Sequence, residues 1–83
     1  MTSVEVLGRI RHNEKGEVFL EVKRSYKNRK GEIEVDLLPM IHWTRASRNV
    51  FYSLDDNTLV FAKGRLEIEK EKMILIIEEY LAL

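Results

Sequence analysis

Aromatic rings set among cations mark two places where this chain could do chemistry. Trp43, the sole tryptophan, is followed by Arg45 and Arg48. Tyr26 sits within Lys23-Arg24-Ser25-Tyr26-Lys27-Asn28-Arg29-Lys30, where five of the eight residues are cationic. A flat ring can stack on a base while neighbouring ammonium and guanidinium groups hold phosphates, the combination that single-stranded nucleic acid requires. Each feature also has an ordinary structural reading. A core tryptophan beside a solvated helix would have the same neighbours as Trp43, and Tyr26 could lie along a lysine stem or against a partner subunit. Lys63 and Arg65 alternate with Leu59 and Phe61 and form a third candidate, with the charges facing a groove and Phe61 supporting it.

Other chemistries have little to stand on. The chain has no cysteine, so thiolate catalysis, a disulfide staple and Cys-based zinc ligation are excluded. His12 and His42 have no second ligand at metal spacing. The pairs Asp55-Asp56 and Glu78-Glu79 read as solvated element ends. Neither a nucleophile with a base nor a glycine-rich phosphate loop is present. We therefore expect no metal, no cofactor and no catalytic activity.

Net charge is zero over 83 residues, yet residues 1–31 carry +4 and the remainder −4. This asymmetry points to an electropositive region on a neutral body. The length allows one domain with a small core. No apolar run is long enough to span a bilayer, and no apolar block follows the start, so a cytoplasmic location without membrane contact is expected.

The elements that must position these residues follow from periodicity. Val4–Arg11 and Val18–Lys23 read as strands of a hairpin, with Gly8 marking a bulge or bend. Val18, Leu20 and Val22 share one face, and Phe19, Glu21 and Lys23 the other. Residues 24–31 read as a loop. Glu32–Asp36 alternates, Leu37 continues its apolar face, Pro39 marks an edge or bulge, and the strand resumes at Met40–Trp43. Thr44 then caps a helix of roughly ten residues carrying Ala46, Val50, Phe51 and Leu54. In its first turn Arg45 would oppose the helix dipole unless an anion lay nearby. Thr58–Leu66 and Met73–Leu81 are the last strands, joined by a charged turn. Three strands, one helix and two strands is the order of the OB-fold, an all-β, five-stranded Greek-key barrel with its helix between strands 3 and 4.

Three pieces resemble bacterial single-stranded DNA-binding proteins. Val6-Leu7-Gly8-Arg9-Ile10 is similar to the family's opening strand, and Arg24 to Glu32 to the basic loop after its second strand. The stretch from Ile41 to Leu66 has the family's aromatic, Asn-Val pair and Gly-Arg-Leu strand end, here Trp43, Asn49-Val50 and Gly64-Arg65-Leu66. The resemblance implies stacking by Tyr26 and Trp43 and phosphate contacts from Arg24, Lys27, Arg29 and Lys30. It departs at Leu37, where the family has a further stacking aromatic, and in the shorter hairpins. No counterpart of the family's acidic-tipped tail follows Tyr80, so recruitment of partner enzymes through such a tip is not expected. A compact phage, plasmid or primosomal variant fits better.

The combined expectation is a homodimer or homotetramer that binds single-stranded DNA, or RNA, with little sequence preference, in replication, recombination or repair. Lys23, Arg24, Tyr26, Lys27, Arg29, Lys30, Trp43, Arg45, Lys63 and Arg65 would form the binding surface. The alternative is a non-catalytic scaffold subunit with Trp43 and Phe51 at a protein interface.

Overall fold

A computed structural model describes residues 2–46 and 48–83, with the side chains of Thr2 and Ser25 excepted. Five strands, β1 (Thr2–His12), β2 (Val18–Lys27), β3 (Ile33–His42), β4 (Leu59–Glu69) and β5 (Lys72–Ala82), close into a barrel in the order β1-β2-β3-β5-β4. Every neighbouring pair is antiparallel except β3 and β5, which run parallel over Met40–His42 and Leu75–Ile77. This is the OB-like arrangement expected from the order of elements. Among the described residues no helix is long and apolar enough to cross a membrane.

Alternation decides which residues fill the barrel. Ile10, Val18, Leu20, Met40, Val60, Ala62, Leu75 and Ile77 are buried in one cluster, and Phe51 enters it from the β3–β4 connection. β1 pairs with β4 from Thr2 to Arg9 and with β2 from Arg9 to His12, so it changes neighbours at Gly8–Arg9. A Cβ on Gly8 would lie 2.5 Å from the Glu21 carbonyl oxygen, which is why the crossing requires glycine. Gly64 is tighter still: a Cβ there would lie 1.9 Å from the Ile76 carbonyl oxygen, beside the register shift between Lys63 and Gly64.

The expected ten-residue helix is not formed. The connection carries one 3-10 turn, Val50–Ser53, capped by Asn49 rather than Thr44, with the Asn49 Oδ1 accepting from the Phe51 N–H at 2.9 Å. Arg45 has φ 56°, outside helical geometry. Ala46 and Val50 are exposed, so the apolar spacing that suggested a helix is not one buried stripe; among the described residues of the connection, Phe51 alone is fully buried. The dipole argument about Arg45 therefore falls away.

Two further expectations change. β2 continues to Lys27 instead of giving way to a loop at Arg24, because a tight turn folds the chain back into β3. In that turn the Asn28 Oδ1 accepts from the Lys30 and Glu32 N–H groups, and Gly31 takes φ 77°. β3 also runs unbroken through Pro39. The Trp43 N–H donates to the Ile77 carbonyl, so odd-numbered residues of β3 turn their backbone away from β2. The ladder with β5 starts at Met40, and a missing N–H at Pro39 removes no ladder bond. At the far end Lys70 and Glu71 take φ 51° and 67° between β4 and β5. These signs match the two-residue turn favoured by strand twist, here without the usual glycine.

Phe51→Ala removes the largest fully buried side chain and should cost about 3–5 kcal/mol in urea denaturation, most of the stability of a domain this small. Gly64→Ala should also destabilise, whereas Lys30→Ala on the exposed turn should shift the midpoint little.

Candidate functional site

The outer surface of the barrel presents two neighbouring depressions and a projecting arm. The larger depression, about 750 Å³, opens between the β1–β2 turn and the β4–β5 hairpin. Its floor follows from register. Phe19 and Pro39 face each other across β2 and β3, Ile41 lies two residues further on the same face, and Ile41 in turn faces Ile76 of β5. Ile74, Val18 and Met40 add to the apolar lining.

One wall is fixed by Asn13, whose Oδ1 accepts from the N–H groups of Lys15 at 3.0 Å and Glu17 at 2.9 Å. Lys15 and Lys72 stand at the edges of this groove, and neither makes an ion pair among the described residues. Arg45 also lines it, 3.5 Å from Glu69.

The smaller depression, about 380 Å³, is lined by Trp43, Lys63, Arg65, Glu78 and Glu79. Trp43 follows β3 directly and is 56% exposed, so it is not a core residue. Its backbone is anchored by the bond to Ile77. Its neighbour His42 is buried, with Nδ1 2.9 Å from the Thr44 hydroxyl and 3.4 Å from the Asn49 amide nitrogen. The His42 ring lies between Trp43 and the core rings of Phe51 and Tyr80. The outward tryptophan is thus held from behind by a packed aromatic cluster. Arg65 is engaged by Glu67 at 2.6 Å and Glu78 at 3.2 Å. The Glu67 hydrogen bond, with both carboxylates close by, raises its guanidinium pKa. Lys63 makes no ion pair among the described residues and remains the available cation here. Phe61 is 40% exposed but lines neither depression; it faces Leu7 and Leu81 across β1 and β5.

The arm is the part of the β2–β3 hairpin beyond the barrel. It carries Lys23, Arg24, Tyr26, Lys27, Arg29 and Lys30. Tyr26 is 67% exposed. Arg24 forks between Glu34 at 2.6 Å and Asp36 at 3.1 Å, so its charge is already matched within the arm. The hydrogen bond from Arg24 holds the Asp36 carboxyl below its ordinary pKa.

The candidate residues therefore form three groups. Trp43, Lys63 and Arg65 share one depression, the six residues from Lys23 to Lys30 share the arm, and Arg45 borders the larger groove. Tyr26 lines neither depression, whereas Trp43 lines the smaller one. From Glu34, at the arm, to Trp43 is nine residues of extended chain, roughly 30 Å. Lys15, Phe19, Ile41, Lys72 and Ile74 were not singled out in the sequence. Phe19 did carry a signal: it shares strand parity with Glu21 and Lys23, which puts an aromatic on the face away from the core.

The lowered pKa of Asp36 has a defined sign. A carboxyl depressed in the folded state adds stability that is fully present above its unfolded value, about 3.9, and is lost as pH falls through the lower folded value. Hydrogen exchange of arm amides should accelerate below about pH 4 relative to barrel-core amides, and Asp36→Asn should weaken that pH response. Neither a protein-family model nor a curated protein sequence matches this chain.

Proposed function

We propose that this chain binds single-stranded nucleic acid, with DNA as the leading ligand and little sequence preference. The observation that carries the reading is Trp43, exposed on the outer barrel surface beside Lys63 and backed by the His42–Phe51–Tyr80 cluster. A large ring held rigidly toward solvent next to a cation is suited to stacking on a base. The larger groove supports the same reading. It lies on the β2–β3 face between the β1–β2 and β4–β5 loops, where OB-folds take oligonucleotides and oligosaccharides, and it joins an apolar floor to Lys15 and Lys72.

In this mechanism a strand crosses the groove over Phe19 and Ile41 and stacks on Trp43. Lys15, Lys72 and Lys63 neutralise phosphates along that path. Lys23, Lys27, Arg29, Lys30 and Tyr26 extend the surface along the arm. Arg24 and Arg65 hold the protein's own carboxylates and act as positioning residues. Roles in replication, recombination or repair belong to this reading through the sequence resemblance alone. The scaffold reading loses part of its basis, since it needed Phe51 at an interface and Phe51 fills the barrel.

The test is a titration of Trp43 fluorescence with single-stranded DNA, duplex DNA and RNA of equal length. Single-stranded DNA should change the emission and bind most tightly. The affinity should fall with salt at a log–log slope of roughly −2 if the three groove cations meet phosphates, and roughly −5 if the four of the arm do so as well. Followed by the anisotropy of a labelled oligonucleotide, Trp43→Ala should cost about 1–3 kcal/mol of binding, and Lys15→Glu with Lys72→Glu should weaken binding with no loss of thermal stability. Emission that ignores every oligonucleotide, or an affinity indifferent to salt, would sink the proposal.

A further inference from the structure

β3 has one unfinished edge. Its even-numbered residues turn their backbone toward β2, in step with Glu32 just before the strand, whose carbonyl accepts from the Asn28 N–H at 2.8 Å. Its odd-numbered residues turn toward β5, as the Trp43 bond to Ile77 shows. The β5 ladder covers Met40–His42 and no more. Among the described residues, the backbone groups of Ile33, Val35 and Leu37 therefore face a side on which no strand lies. Their side chains are 53%, 43% and 59% exposed and share one face.

Edge strands normally carry protection such as a bulge, a proline or outward lysines. The β2 edge of the same arm has it, in the register shift between Lys23 and Lys27 and in the cations Lys23, Arg24 and Lys27. From Ile33 to Leu38 the β3 edge has no proline, lysine or bulge, and its two charges, Glu34 and Asp36, are matched by Arg24. Its one proline, Pro39, lies at the end of the open segment.

We propose that this edge pairs with the same edge of a second copy, antiparallel and two-fold symmetric about Val35. The register is self-complementary. Ile33 faces Leu37 of the other copy, Val35 faces its equivalent, and Leu37 faces Ile33, so apolar side chains meet on one face. These facing pairs exchange about six backbone hydrogen bonds. On the other face Glu34 comes opposite Asp36 of the other copy. Like charges there would oppose pairing, but both carboxylates already lie against an Arg24 guanidinium. A pairing centred on Asp36 would oppose two aspartates and bring Pro39, which has no N–H, into the ladder. The antiparallel sense also sends the two cationic turns to opposite ends, where they do not repel. It is a closed contact, so it satisfies the edge without open-ended growth.

The register carries Lys30 and Gly31 of one copy past Pro39 of the other, into line with the groove between the β1–β2 and β4–β5 loops. Each groove would then gain a basic turn from its partner. This last consequence rests on the nucleic-acid reading; the pairing itself does not.

The chain has no cysteine, so a single introduced thiol can link only to another copy. In the proposed register the two Val35 Cα atoms lie about 5.5 Å apart, within disulfide range. The two Ile33 positions lie about 13 Å apart. Val35→Cys should form a cross-linked dimer under mild oxidation at low micromolar concentration, and Ile33→Cys should not. The unmodified protein should sediment as a dimer. Val35→Pro should sediment as a monomer with an unchanged circular dichroism spectrum, because the lost N–H serves the open edge and not the β2 ladder. A monomeric unmodified protein, a dimer that survives Val35→Pro, or equal cross-linking at positions 33 and 35 overturns the proposal. Oligonucleotide titration of Val35→Pro separates the two readings. A monomer that still binds leaves the function standing without the shared groove, and a dimer that never binds leaves the interface standing without the function.

Discussion

Met40, Ile41 and His42 run parallel to Leu75, Ile76 and Ile77, and this short ladder closes the barrel. Much else is arranged by it. It sets Met40, Leu75 and Ile77 into the core, and it puts Ile41 and Ile76 on the opposite face of the ladder, Ile41 in the larger depression and Ile76 buried. It anchors the Trp43 backbone one residue past the end of β3. Because it is brief, it also leaves the first half of β3 without a neighbour on that side. Surface chemistry and open edge are two results of one limited contact.

The 3-10 turn supports that contact from below. Phe51 fills the barrel beneath His42, and the Tyr52 hydroxyl oxygen accepts from the His42 N–H at 2.9 Å. That N–H points away from β5, since even-numbered residues of β3 turn the other way. A buried backbone donor without a partner would be costly, so the tyrosine satisfies a requirement created by the end of the β2–β3 ladder. Asn49 links the same region twice, capping the turn with its carbonyl oxygen and approaching the His42 ring with its amide.

The order of strands was legible in the sequence because alternation is a local signal, and the five-strand barrel followed from that order. The helix was misread because Ala46, Val50, Phe51 and Leu54 have helical spacing, while the positive φ of Arg45 and the cap at Asn49 depend on contacts with β3. The arm was misread as a loop because its polar residues hide a strand whose pairing is set by the turn at Asn28–Glu32. Trp43, Lys63 and Arg65 were legible as candidates, and the barrel places them together. The matched charge of Arg24 was not legible, since Glu34 and Asp36 become its neighbours only across the hairpin. Nor was the groove at Lys15 and Lys72, whose walls belong to turns far apart in the chain.

The ladders differ greatly in the length of chain they enclose. β4 and β5 meet through a turn of two residues, and β2 and β3 through a turn closed by Asn28, so both hairpins can form locally. Closing the barrel joins Met40 to Leu75 and Leu7 to Phe61, contacts with large loop-closure entropy that form more slowly. Until β5 arrives, the whole length of β3 is an uncovered edge rather than half of it. During assembly the backbone groups that β5 takes up at the end of β3 are therefore open, as those of its first half are in the finished barrel. Faster closure by β5 shortens the time for which an open strand edge is exposed to intermolecular pairing.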